Sequence, residues 1–269
     1  TFTNILGGNC RSFGIAEEST DGPTLYQAGD MFTNSTAAGD FKLKVHYTGD
    51  AANSFTVTNE EIIDIPVWKS WDDEGDGVDT DRPEYIKAIL YCVNAGKSKV
   101  VEGTKTLTAD NEYSERWTNL STSKCASYEV EEVMPSSHGY DSSYYYESAI
   151  TGNEKDGFQI TNTKYVNIPV AKVWNYRNPS NIPDSVDIVL VCNDRDVPNT
   201  QVTLTKTANQ RPDGAWFYDG YKGLKASDCP ASEHAAYTHH GYTVREIIPQ
   251  GASYNATVTS VRDGTVIIK

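Results

Sequence analysis

The sequence predicts an all-β chain built as an array of small β-sandwiches. Short runs alternate apolar and polar residues, as in Val202-Thr203-Leu204-Thr205 and Tyr128-Glu129-Val130-Glu131, and no long stretch has period 3.6. One stretch also occurs twice without a gap, as FTVTNEEIIDIPVWKSW (Phe55 to Trp71) and FQITNTKYVNIPVAKVW (Phe158 to Trp174). The two copies are shifted by 103 positions, Phe55 to Phe158. Such a repeat signals similar modules in series. At 269 residues the chain is also too long for one small sandwich.

Composition narrows the partners. Lys and Arg number 23 against 37 Asp and Glu, a formal net charge of −14. That excess argues against nucleic acid and against contact with an anionic membrane. No apolar run is long enough to span a bilayer, and the first residues are not a signal peptide. Any export or anchoring signals are expected outside this chain.

Taken in order, residues 1–64 read as the second half of a module. Phe2-Thr3-Asn4-Ile5, Cys10, Phe13, Ile15 and Glu17 match Trp117-Thr118-Asn119-Leu120, Cys125, Tyr128, Val130 and Glu132, all at the shift from 2 to 117. Thr48-Gly49 match Thr151-Gly152 at the repeat shift, so residues 18–45 read as a loop-rich insertion. Residues 65–164 read as a complete module. Its strands are expected at Ile65 to Trp71, Tyr85 to Cys92, Lys105 to Ala109, Tyr113 to Trp117, Ser127 to Val133, Tyr144 to Thr151 and Gly157 to Thr163. Turn signals at short, regular spacing separate them, as in an immunoglobulin-like sandwich. Residues 165–269 repeat the plan through Lys172, Pro183, the run Val186 to Cys192, Val202 to Thr205, Tyr242 to Glu246 and Thr265 to Ile268. The repeated stretch is expected to be the last strand of one module, a short link, and the first strand of the next.

Equivalent positions pair the cysteines. Cys92 and Cys192 end the same strand, and Cys125 and Cys229 precede the same later strand. The expectation is Cys92–Cys125 and Cys192–Cys229 disulfides, hence an oxidising or extracellular compartment. Cys10 matches Cys125, so its partner would lie outside the chain. No Cys-x-x-Cys is present and the His residues are not at ligand spacing, so no metal is expected. The acidic segment Asp72 to Gly77 meets Pro83 where a calcium loop needs its closing acid, and reads as a solvated loop.

The joints carry an oddity. Strand parity puts Val67, Lys69 and Trp71 on one face, and Phe158, Ile160 and Asn162 on one face. The same holds for Val170, Lys172 and Trp174, and for Phe55, Val57 and Asn59. The apolar face is the inner one, so Lys and Asn point into a core. Glu132 and Glu246 share the inward face with Tyr128 and Val130, and with Tyr242 and Val244; a bulge would turn Glu131 inward instead. Burial favours a neutral amine and a neutral acid. A neutral amine is a nucleophile, and a protonated carboxyl can donate to the Asn carbonyl and relay protons. Amine attack with loss of ammonia would leave a Lys–Asn isopeptide bond. This happens once per module and is not turnover, so no enzyme and no cofactor are expected.

These residues carry a resemblance. Lys69-Ser-Trp71 and Lys172-Val-Trp174, Arg82-Pro83, the boxes Tyr128 to Pro135 and Tyr242 to Pro249, and Phe158 to Asn162 resemble the motifs of Cna B-type domains. Those domains are stalk modules of Gram-positive surface proteins and pilins. The resemblance implies tandem immunoglobulin-like sandwiches in which Lys and Asn are linked and the boxed Glu is the catalyst. That assigns Lys69, Asn162 and Glu132 to the middle module. The last module has Lys172 and Glu246 and is expected to lack its final Asn. The alternation of Val266 and Ile268 puts the counterpart of Asn162 one place past Lys269, whereas alignment on Asp263-Gly264 puts it at Lys269. The first has Glu17 and Asn59, with no Lys and without the Pro of the box. The implied role is a stalk or pilus-shaft segment at the extracellular bacterial cell surface, with neighbouring copies in a fibre as partners. The alternative is an adhesin region, with residues 18–45 or the Tyr144-Tyr145-Tyr146 run contacting a host, matrix or glycan ligand.

Overall fold

The structure, a computed structural model, describes residues 17–18, 25–26, 29–36, 39–50, 53–73, 82–135, 140–141, 144–176, 179–230, 241–262 and 264–269. It opens on a two-residue pair, β1 (Glu17–Glu18) with β2 (Leu25–Tyr26), and a hairpin of β3 (Met31–Thr36) and β4 (Gly39–Asp50). Much of the expected insertion is therefore strand. Then come β5 (Ser54–Asp72), β6 (Tyr85–Val93), β7 (Lys99–Thr108), β8 (Ser114–Ser121), β9 (Ser127–Val133), β10 (Tyr140–Asp141), β11 (Tyr144–Asn153) and β12 (Gly157–Lys172). The last stretch holds β13 (Ser185–Cys192), β14 (Arg195–Asp196), β15 (Val202–Thr205), a single helical turn α1 (Lys206–Asn209), β16 (Trp216–Lys225), β17 (Tyr242–Ile247), β18 (Val258–Arg262) and β19 (Thr265–Ile268). No helix among the described residues is long and apolar enough to cross a membrane.

Two sandwiches of the same plan result. In the first, β8, β5, β12 and β11 lie side by side, facing β7, β6 and β9. In the second, β16, β12, β19 and β18 form one sheet, and β13 pairs with β14, β15 and β17 in the other. In each, the closing strand runs parallel to the opening one: β12 beside β5, then β19 beside β12. Parallel neighbours need a long crossover, and here most of a sandwich supplies it. Alternation then fills each interior. Ile65, Val67, Ile86, Leu90 and Ile160 pack in the first, and Ile168, Val170, Ile188, Leu190 and Trp216 in the second.

The expected short link between modules is absent. β5 is one strand of 19 residues and β12 one of 16. Neither Asn59 to Pro66 nor Asn162 to Pro169 contains glycine or a tight-turn pair. β-Branched residues favour extended backbone, and the residue before proline is pushed the same way. Pro66 and Pro169 lack an N–H, and each sits beside an irregularity in the pairing, between Ile63 and Ile65 and between Ile168 and Val170. Gly220 (φ +105°) lies so close to the second that a Cβ would come within 2.5 Å of the Ile168 carbonyl oxygen. Side chains tie this joint as well. Lys225 on β16 pairs with Asp72 on β5 at 2.7 Å, and Thr163 on β12 donates to the same carboxylate at 3.3 Å.

Disulfides link Cys92 to Cys125 and Cys192 to Cys229, with Cα atoms 5.3 and 5.7 Å apart. They close loops of 33 and 37 residues. By the chain-entropy argument each contributes about 3–4 kcal/mol. Replacing Cys92 and Cys125 together by Ala is expected to lower stability by that amount, read as a drop in the urea midpoint. Wild-type protein in reductant should shift at least as far. Cys10 lies outside the described residues.

Candidate functional site

The site forms where β5, β12 and β9 meet. In the parallel pair Lys69 lies opposite Ile160, and Asn162 lies opposite Trp71. The two polar side chains are thus one step apart on the same inward face. Glu132 reaches them from the facing sheet, where it pairs through its backbone with Ala88. The Lys69 side chain is 0% exposed, that of Glu132 is 3%, and Asn162 is 0%.

Lys69 Nζ lies 3.9 Å from Glu132 Oε1. It donates to the Ser70 carbonyl at 2.7 Å and sits 3.8 Å from the centroid of the Trp71 ring. Asn162 Nδ2 donates to Glu132 Oε1 at 2.9 Å. Asn162 Oδ1 and Glu132 Oε2 are buried without a hydrogen-bond partner. The polarity differs from the expectation, since the amide donates to the acid. Two orphan oxygens in a dry pocket are costly. The alternative inward residue, Glu131, is exposed, so parity runs through β9 without a bulge.

Burial pushes the Lys69 amine down to about 7, against the pull of Glu132; Arg82 adds to the lowering and Asp73 opposes it. This has a consequence for stability when coupling is blocked by Asn162→Ala. Between pH 7 and about 10.5 the unfolded chain holds a proton that the folded site has lost. Raising the pH therefore favours the folded state, by at most about 1.4 kcal/mol per pH unit. Below pH 7 both states hold the proton and this contribution is flat. Urea midpoints of the variant should climb from pH 7 to 9, and adding Lys69→Met should remove the climb.

A family model described as the Cna protein B-type domain matches residues 65–163 and again 168–269. The chain belongs to this family. Among solved structures, it is similar to a single B repeat unit of the collagen-binding surface protein Cna of Staphylococcus aureus. Identity there is 21%, over 77% of this chain and 97% of that one, with a TM-score of 0.29. The two-repeat structure of the same protein is 17% identical over 86% of this chain and 61% of that one, with a TM-score of 0.31. The pilus backbone protein RrgB of Streptococcus pneumoniae is 14% identical over 64% and 48%, with a TM-score of 0.25. No curated protein matches the chain.

The second Cna B-type match holds a related but different site. Lys172 Nζ lies 3.0 Å from Glu246 Oε2, with side chains 1% and 0% exposed, and 4.4 Å from the centroid of Trp174. The Lys172–Glu246 contact is an ion pair that lacks hydrogen-bond geometry. The nearby Tyr254 phenol is pushed up to about 12, by burial first and then by the Glu246 charge. Register decides the question left open by the ending. Val266, Ile267 and Ile268 lie opposite Val170, Ala171 and Lys172, as Phe158, Gln159 and Ile160 lie opposite Val67, Trp68 and Lys69. The counterpart of Asn162 is one place past Lys269, and Lys269 corresponds to Thr161.

The first site is not assembled among the described residues. Asn59 is exposed and lies opposite Val45 on β4, so the expectation of a buried Asn59 is corrected. Glu17 pairs through its backbone with Tyr26, and its carboxylate lies outside the described side chains. No group of three or more His, Cys, Asp or Glu among the described residues could hold a metal.

Sequence reasoning missed two features. Asp73, assigned to a solvated loop, is 4% exposed and holds Arg82 through Oδ2 to Nε and Oδ1 to Nη2, both at 2.6 Å. Lys164 is 0% exposed, with its ammonium 5.1 Å from the Tyr144 ring centroid. Parity held the signal for Lys164, which continues the face of Phe158, Ile160 and Asn162. Nothing local marked Asp73.

Proposed function

We propose that this chain is a stalk or pilus-shaft segment of a bacterial surface protein, stiffened by disulfides and by a self-formed Lys69–Asn162 isopeptide bond. The proposed modules are 65–164 and 165–269, after a partial one at 1–64. The observation that carries this reading is the burial of Lys69, Glu132 and Asn162 together on neighbouring strands of a family member. Glu132 is the acid-base catalyst. The neutral Lys69 amine attacks the Asn162 side-chain carbonyl carbon, the C–N bond to the amide nitrogen breaks, and ammonia leaves after protons pass through Glu132. Rotation of the amide about its Cβ–Cγ bond would turn its carbonyl oxygen to the acid for this step. Positioning in a dry core supplies much of the rate.

The topology supports a mechanical role. Tension along the chain enters through β5 and leaves through β12, and both strands continue past the sandwich at opposite ends. Their parallel register, 67–72 against 158–163, carries the load in shear. A covalent bond between Lys69 and Asn162 lies within that segment, so load would bypass the rest of the sandwich. The continuous joints fit a rod. The partners of this reading are neighbouring copies in a fibre, and its location is the cell surface.

Intact mass tests the reading. Each isopeptide bond removes about 17 Da as ammonia, and each disulfide removes about 2 Da as two hydrogens. A mass explained by the disulfides alone would overturn the cross-linked account.

A further inference from the structure

We propose that the Asp73–Arg82 pair is a positioning device that sets the charge state of Lys69 for coupling. The inference rests on the isopeptide reading above and names residues that reading does not use.

The geometry is specific. Asp73 follows directly on the end of β5 and grips the Arg82 guanidinium with both oxygens. The fork leaves Arg82 one orientation, with Cζ 5.7 Å from the centroid of the Trp71 ring. Lys69 Nζ sits 3.8 Å from the centroid of that ring. One indole therefore has the reacting amine and a fixed cation beside it. Arg82 is partly exposed (side chain 23%) while Asp73 is 1%, so the cation lies at the mouth of the pocket. It acts through its field, which in a dry interior is weakly screened. Arg82 favours the neutral amine and Asp73 opposes it.

The second sandwich provides a contrast. Tyr176 stands where the repeat places Asp73, and Ile182 precedes Pro183 as Arg82 precedes Pro83. There Lys172 lies 3.0 Å from its glutamate, against 3.9 Å for Lys69. Where the pair is present, the amine stands back from the carboxylate.

The charged groups facing Lys69 are Glu132 from β9 and Asp73 and Arg82 from beyond β5, and the rings of Tyr113 and Tyr146 contact Trp71 at 6.0 and 5.2 Å. Lys164 stands one step beyond Asn162 on the same face of β12. Coupling needs a neutral amine and a proton relay together, so it is expected to pass through an optimum in pH. Removing a positive neighbour moves the whole profile up, and removing a negative one moves it down.

The test uses full-length chain prepared uncoupled in urea, refolded at set pH from 5 to 10, quenched in acid and followed by intact mass. Arg82→Gln should raise the optimal pH for coupling by about one unit, and Asp73→Asn should lower it by a similar amount. Arg82→Lys, which keeps the charge, should hold the wild-type optimum, and the Arg82→Gln, Asp73→Asn double variant should return close to it. Slower coupling with an unmoved optimum, or shifts in the same direction, would make the pair merely structural and overturn the inference. Should Arg82→Gln not fold, Asp73→Asn and Arg82→Lys still decide it. Wild type that never loses the mass of ammonia would sink the isopeptide reading, and this inference with it.

Discussion

Replacing Glu132 with Gln is expected to leave Lys69 and Asn162 uncoupled, with a mass about 17 Da above that expected from retained coupling. Gln keeps the shape of the acid but cannot relay protons. The stability loss should be large. A bond from Lys69 to Asn162 closes a loop of about 90 residues, which the chain-entropy argument values at about 4–5 kcal/mol. Lys69→Met should also prevent coupling but unfold later than Glu132→Gln, because it buries no amine without a productive partner. Intact mass paired with urea denaturation checks both outcomes. Coupling of Glu132→Gln at the wild-type rate would remove Glu132 from the mechanism.

Glu246→Ala is expected to be comparably damaging for a different reason. It leaves the Lys172 ammonium, 1% exposed, without its carboxylate. Breaking a buried pair by removing one partner costs about 3–5 kcal/mol. Trp174 and Trp216 stack edge to face at 5.4 Å within this sandwich, and their fluorescence should report its earlier unfolding. Converting both partners to apolar residues, Lys172→Met with Glu246→Leu, should recover most of the loss, since a well-packed apolar pair of similar volume is often neutral or better. A double variant as unstable as Glu246→Ala would show that the pair contributes more than its charge. The first sandwich should keep its own midpoint in each case, as its core is remote from the change.

Alternation and repetition made the architecture legible. Val202 to Thr205 and Ser127 to Val133 carry a period of two, and period alone separates a half-buried strand from a helix. The doubled stretch from Phe55 and from Phe158 marks the joints, and its parity places Lys69, Asn162 and Lys172 inward before any contact is known. The strand Trp216–Lys225 was not legible, because its apolar residues do not alternate cleanly and Gly220 and Gly223 read as turns. Lys105 to Ala109 was too short a reading of a strand that starts at Lys99, where exposed Val100 and Val101 give no inward signal.

The amino-acid order by itself determined the all-β class, the module repeat, the cysteine pairs and which side chains face inward. These follow from local rules: strand periodicity, and equivalence between copies. Tertiary structure alone decided the rest. It made each joint one unbroken strand, because one partner, β8 at the first joint and β16 at the second, continues the pairing across Ile-Pro while the other side changes partner. It left Asn59 exposed while Asn162 is sealed, because burial depends on what packs over a face and not on the face itself. It brought Asp73 and Arg82 beside Trp71, since charges that meet across a loop leave no periodic trace in the sequence.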